Sequence, residues 1–96
     1  MVSVEIGEEY YEGDGNGDFG NLAKVKVEKE STPEGFYVIT ITKNYASIWD
    51  NGPPRAGTES TVFEKNLFNT FEKAVKNFVK DMGFNKSRDI IKHILT

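Results

Sequence analysis

The stretch that decides the fold is LFNTFEKAVKNFVKDM, residues 67–82. Its apolar side chains recur at steps of three and four residues, which is the period of an amphipathic α-helix. They are Leu67, Phe68, Phe71, Ala74, Val75, Phe78, Val79 and Met82. The sequence therefore predicts a helix over 67–82 whose apolar face packs on another element.

The two ends of this helix have recognisable signals. Two pairs of residues have the spacing of a capping box, Thr61 with Glu64 and Asn69 with Glu72, so two starts compete. Gly83 suits the C-terminal cap. A second, short helix is predicted over about 87–95, and it must also pack on something, because so short a helix is unstable alone in water.

Three stretches upstream of the helix have the patterns of β-strands. Val2, Val4 and Ile6 alternate with polar residues, and so do Ala23, Val25 and Val27, which indicates strands with one wet face. Residues 36–42, FYVITIT, are apolar or β-branched on both faces, which favours a central strand. Residues 12–20 contain four glycines and are typical of a tightly bending loop.

The boundaries of the later strands are less well defined by the sequence. Lys43-Asn44 fits a tight turn into residues 45–49, which we prefer, or a bulge in one long strand. Residues 50–54, DNGPP, form the strongest break in the chain, because paired prolines cannot donate to a ladder. Residues 58–65 fit either a last strand or the approach to the helix.

Strands followed by helices predict an α+β fold in a single domain, residues 1–96. We expect two layers. One is an antiparallel sheet of four or five strands in a meander. The other is formed by the 67–82 helix and the short C-terminal helix, which cover one face of the sheet.

Composition argues against an enzyme. The chain has no cysteine, and its one histidine, His93, lies three residues from the C-terminus, where chains fray. Asp14, Asn16 and Asp18 are spaced like the first ligands of a calcium loop, but Phe19 and Val25 stand where that loop needs Gly and Glu. We therefore predict no catalysis, no metal and no cofactor. No signal peptide or membrane span is recognisable, so we expect a cytoplasmic location and no membrane partner.

The charge is unevenly distributed along the chain. Residues 1–34 carry nine acids and three lysines, a net −6, whereas residues 65–96 carry a net +4. Acids with tyrosines among them suit a partner with a basic surface. The predicted partner-binding residues are Glu8, Glu9, Tyr10, Tyr11, Glu12, Asp14 and Asp18. The leading hypothesis is a small acidic inhibitor or regulator that occupies a basic groove of a protein, by analogy with bacterial immunity proteins and phage anti-defence proteins.

Two other functions fit the sequence. The first is a nucleic-acid-binding module that uses a lysine stripe and sheet aromatics, namely Tyr45, Trp49, Arg55, Lys73, Lys76 and Lys80. Trp49, Gly52 and Arg55 ahead of an amphipathic helix resemble the WGR module of nucleic-acid-dependent polymerases over residues 36–84, although the three residues are not contiguous. The second is a self-associating structural subunit, a homodimer joined through the C-terminal helix or an open sheet edge.

Overall fold

A computed structural model of the chain describes residues 3–15, 21–47 and 56–82. The elements are β1 (Glu9–Asp14), β2 (Asn21–Glu30), β3 (Phe36–Ser47), β4 (Glu59–Phe63), a 3₁₀ turn (Glu64–Asn66), β5 (Leu67–Phe68) and α1 (Phe71–Met82). The strands form one sheet in the order β4-β3-β2-β1-β5, and every neighbouring pair is antiparallel. This sheet and the helix that packs on it confirm the predicted α+β fold.

The sheet curls strongly. β4 and β5 occupy its opposite edges, yet only the 3₁₀ turn separates them along the chain. The turn is closed by the backbone N–H of Leu67, which donates to the carbonyl oxygen of Glu64. Strands β1 to β4 form the expected meander, but β5 pairs with β1 rather than with β4, so the sheet approaches a small barrel.

The barrel interior holds the larger of the two apolar clusters that the described residues form. Its buried members come from all five strands and are Tyr10, Ala23, Val25, Val27, Ile39, Ile41, Val62 and Leu67. On β2 these residues alternate with Lys24, which is half-buried, and with Lys26 and Glu28, which are exposed, as the period of a strand requires. The alternation read from the sequence at 23–27 therefore predicted the buried face of β2 correctly.

Helix α1 packs on the outer face of the sheet. Ala74 and Phe78 are fully buried against Leu22, and four aromatic side chains with Val75 surround them: Tyr11, Tyr45, Phe68 and Phe71. The helix backbone comes so close to β1 that a Cβ atom at Gly13 would overlap the carbonyl group of Ala74. Glycine at position 13 is therefore required by close packing.

The helix begins later than the sequence predicts. Leu67 and Phe68 pair with β1 as strand β5, and Leu67 is buried in the barrel interior. The helix starts at Phe71, and the hydroxyl of Thr70 caps it by accepting a hydrogen bond from the Lys73 N–H at 3.3 Å. Neither predicted capping box starts the helix, because pairing with a distant strand overrides the local apolar period.

Two strand predictions also need correction, and an alternative left open at residues 58–65 is decided. The first strand is Glu9–Asp14, which includes the start of the predicted 12–20 loop, and Ile6 is exposed ahead of it. Lys43-Asn44 is not a turn: β3 runs through it, and the register against β2 skips Thr42 and Tyr45, so the bulge alternative is right. Residues 59–63 form a strand. The predicted second helix lies outside the described residues.

Candidate functional site

A carboxylic acid lies inside the barrel. On β1, Tyr10 belongs to the interior cluster and Gly13 faces the helix, so strand alternation points Glu12 inward. Only 5% of Glu12 and 2% of Asn21 are exposed. Among the described residues, Glu12 Oε1 and Asn21 Oδ1 are buried without a hydrogen-bond partner. Two buried acceptors that lack donors are unusual in a folded protein.

Burial changes the acidity of Glu12. Loss of solvent raises the pKa of its carboxyl group from 4.5 to about 8, and the negative charge of Asp14 contributes to the rise. Glu12 is therefore mostly neutral at pH 7. A neutral Glu12 does not belong to the acidic surface that the charge count implies.

These two side chains line a cavity of about 350 Å³, which we call the Glu12 cavity. Its lining residues are Glu12, Asp14, Asn21, Phe36, Ser60, Thr61, Val62, Phe63 and Asn66. Of its lining residues Thr61 is exposed, and Ser60, Phe63 and Asn66 are half-buried. One part of the wall is polar and another is apolar and aromatic.

A second cavity lies at the turn between β2 and β3. It measures about 500 Å³ and is lined by Glu30, Ser31, Thr32, Glu34, Gly35, Phe36, Tyr37 and Glu64, and we call it the acidic groove. Desolvation, followed by the negative charges of Glu64 and Glu30, raises the pKa of Tyr37. Sequence analysis missed this groove, although Glu30 and Glu34 flank a recognisable turn, because Glu64 joins them only in the fold.

The predicted partner-binding residues between positions 8 and 18 do not all lie on the surface. Glu8 and Glu9 are exposed, and Glu9 Oε2 lies 3.7 Å from Lys24 Nζ. Tyr11 is half-buried against the helix, and Asp14 is half-buried in the wall of the Glu12 cavity.

Tyr10 and Glu12 are buried, so the prediction of an exposed segment is wrong for these two residues. The Tyr10 hydroxyl accepts a hydrogen bond from the Glu5 N–H at 2.8 Å and donates one to the Ser3 carbonyl at 3.1 Å. Asp18 lies outside the described residues.

The described residues of the alternative nucleic-acid site lie on α1 or against it. Lys73, Lys76 and Lys80 are exposed on α1, where Lys76 Nζ lies 3.3 Å from Glu72 Oε1. Tyr45 is half-buried, with its ring centroid 4.8 Å from that of Phe71 and 5.2 Å from Lys43 Nζ. The Tyr45 ring therefore already contacts Phe71 and Lys43.

Trp49 and Arg55 of that alternative site lie outside the described residues. Within the described ranges, no group of three or more His, Cys, Asp or Glu side chains could hold a metal ion. No helix among these residues has the length and apolar character needed to cross a membrane.

Comparison with known proteins places the chain in no family. No protein-family model, no curated protein and no solved structure matches it.

Proposed function

We propose that the protein is a non-catalytic protein-binding module, a small acidic inhibitor or regulator that engages a basic surface of a partner protein. The observation that carries this proposal is the acidic groove. Three carboxylates and two aromatic rings line it, and no lysine or arginine among the described residues does so. A negative field around aromatic contact area is complementary to a patch of lysine and arginine.

The wall of the groove supports a rigid contact surface. Phe36 packs edge-to-face on Phe63, with ring centroids 4.8 Å apart. Tyr37 pairs with Val62 across β3 and β4 and packs against the interior cluster, so its ring has a fixed support. Fixed aromatic side chains lose little conformational entropy when a partner binds.

The distribution of charge supports the same proposal. Lys73, Lys76 and Lys80 are exposed on α1, an element that does not line the groove. Lys29 and Lys65 adjoin Glu30 and Glu64 in the sequence, and Lys65 Nζ lies 5.6 Å from the Phe63 ring. The three carboxylates of the groove outnumber these two lysines, and the excess of negative charge would steer a basic partner toward it.

Charge reversal tests the proposal. Binding proteins are captured from an extract of the source cells on the immobilised chain and identified by mass spectrometry. Association with the purified partner is then measured at several salt concentrations. We expect Glu30→Lys with Glu34→Lys to slow association roughly tenfold at low salt and to flatten its salt dependence.

Glu72→Lys is the matched control, because Glu72 is an exposed glutamate on α1 and not in the groove. It should leave the association rate nearly unchanged. Equal rates for the groove variant and the natural chain would refute the proposal. An extract whose only captured ligand is nucleic acid would favour the lysine stripe instead.

A further inference from the structure

We propose that the Glu12 cavity binds a primary ammonium group carried on an aliphatic chain. The proposal rests on Glu12 and Asn21, which line a cavity that opens to solvent and which each carry a buried side-chain oxygen without a donor, Oε1 and Oδ1. It concerns a different cavity from the acidic groove, and its test uses the free protein. The outcome of its test is therefore independent of the proposed function.

The polar part of the wall has the chemistry of an ammonium receptor. An ammonium group carries three N–H donors and no acceptor, so it supplies the donors that the side-chain oxygens of Glu12 and Asn21 lack. The side chains of Asp14 and Asn66 also line this part of the cavity. A buried cation needs this combination of a charged partner and neutral acceptors.

The rest of the wall suits an aliphatic stem. Phe36, Val62 and Phe63 line it, and the two phenyl rings meet edge-to-face. Transfer of an alkyl group from water to such a surface is favourable in free energy, and an ammonium group is attracted to an aromatic face. The volume of about 350 Å³ lies near the lower end of small-ligand sites, roughly 300–1,000 Å³.

A bare metal ion fits this wall less well. Calcium takes about six to eight oxygen ligands, and magnesium retains several water molecules. The cavity offers two carboxylates, and a large part of its lining is apolar. A hydrated metal ion makes no apolar contact with the apolar side chains of the wall, whereas the alkyl stem of an alkylammonium ion packs against them.

Binding should release a proton. Burial keeps Glu12 protonated in the empty cavity, and an ammonium ion beside it favours the carboxylate. The proton passes to the buffer, and the ion pair remains. Within the described part of the chain, the titratable groups in the wall are Glu12 and Asp14, both on β1, because β2, β3, β4 and the 3₁₀ turn contribute only uncharged side chains.

The test uses n-butylammonium chloride as the probe. The Glu12 carboxyl carbon is followed by ¹³C NMR in protein labelled at glutamate, with and without the probe at matched ionic strength. We expect saturating probe to lower the titration midpoint of Glu12 by more than about one pH unit. Glu12→Gln should weaken binding about tenfold or more, measured from the Asn21 amide signals.

Two controls make this result specific. Glu9→Gln removes an exposed glutamate of the same strand and should bind the probe as the natural chain does. n-Butanol has a similar shape but no charge, and it should leave the midpoint in place. Amide spectra of Glu12→Gln show whether that variant is folded.

Several results would overturn the proposal. They are an unmoved midpoint with n-butylammonium, equal binding by Glu12→Gln, the same shift with n-butanol, and a shift produced by calcium chloride but not by the amine. N-acetyl-lysine N-methylamide distinguishes the source of the ammonium group. Tighter binding than n-butylammonium indicates a lysine of a polypeptide, and weaker binding indicates a free amine.

Discussion

Replacing Glu12 with glutamine should remove a pH-dependent loss of stability. The unfolded chain releases the Glu12 proton near pH 4.5, whereas the folded chain holds it until about pH 8. The folded state therefore binds more protons between these two values, and its stability falls as pH rises from 4.5 to 8. Glutamine has a similar shape and cannot ionise, so Glu12→Gln lacks this contribution.

The difference in free energy of unfolding between the two chains follows from the size of the Glu12 pKa shift. One pH unit between the two pKa values corresponds to about 1.4 kcal/mol. Between pH 4.5 and pH 7 the free energy of unfolding of the natural chain should therefore fall by about 3 kcal/mol, and that of Glu12→Gln should not. This is a large part of the roughly 5–15 kcal/mol typical of a domain. Below pH 4.5 both chains hold a neutral group at position 12, and this pH-dependent difference should vanish.

Urea denaturation followed by circular dichroism from pH 4 to pH 8 measures this difference. Glu9→Gln is the control, since Glu9 is an exposed glutamate on the same strand. It should follow the natural chain at every pH. If the natural chain and Glu12→Gln lost stability in parallel across this range, Glu12 would not be a buried neutral acid, and the reasoning would be refuted.

Other substitutions test the packing. Gly13→Ala should lower the free energy of unfolding, measured by urea denaturation, by about 1–3 kcal/mol, because its Cβ would overlap the carbonyl of Ala74. Gly57 has a positive φ but no atom within 4 Å of an added Cβ, so Gly57→Ala should lower it by about 1 kcal/mol. Phe78→Ala should cost about 3–5 kcal/mol, and a loss below 1 kcal/mol would contradict its full burial. Tyr10→Phe should cost about 1–2 kcal/mol from its two hydrogen bonds, and an unchanged unfolding midpoint would show that they do not form.

The spacing of apolar residues predicts the buried faces of β2 and of α1. The alternation at Val25 and Val27 marks the interior face of β2, and the helical spacing of Ala74 and Phe78 marks the face of α1 on the sheet. Leu67 continues the helical spacing but lies in β5, because it pairs with Glu12, more than fifty residues earlier in the chain. A local pattern does not contain that pairing.

The candidate sites were harder to predict for the same reason. The glycines after Glu12 indicate a loop, yet Gly13 is needed for the close approach of α1, and strand alternation then points Glu12 inward. The acidic groove joins Glu30 and Glu34 to Glu64 across the curled sheet. Charge counts register these acids but do not show which of them are exposed, buried or neutral.

The titration midpoint of Glu12 in the free protein is the most direct measurement of the central structural claim, a neutral acid in an open cavity inside the barrel. Carbon NMR of the labelled carboxyl group reads it without any partner or probe. The structure predicts a midpoint of about 8. A midpoint near the ordinary 4.5 would place Glu12 in contact with solvent and contradict both the pH-dependent stability and the ammonium site.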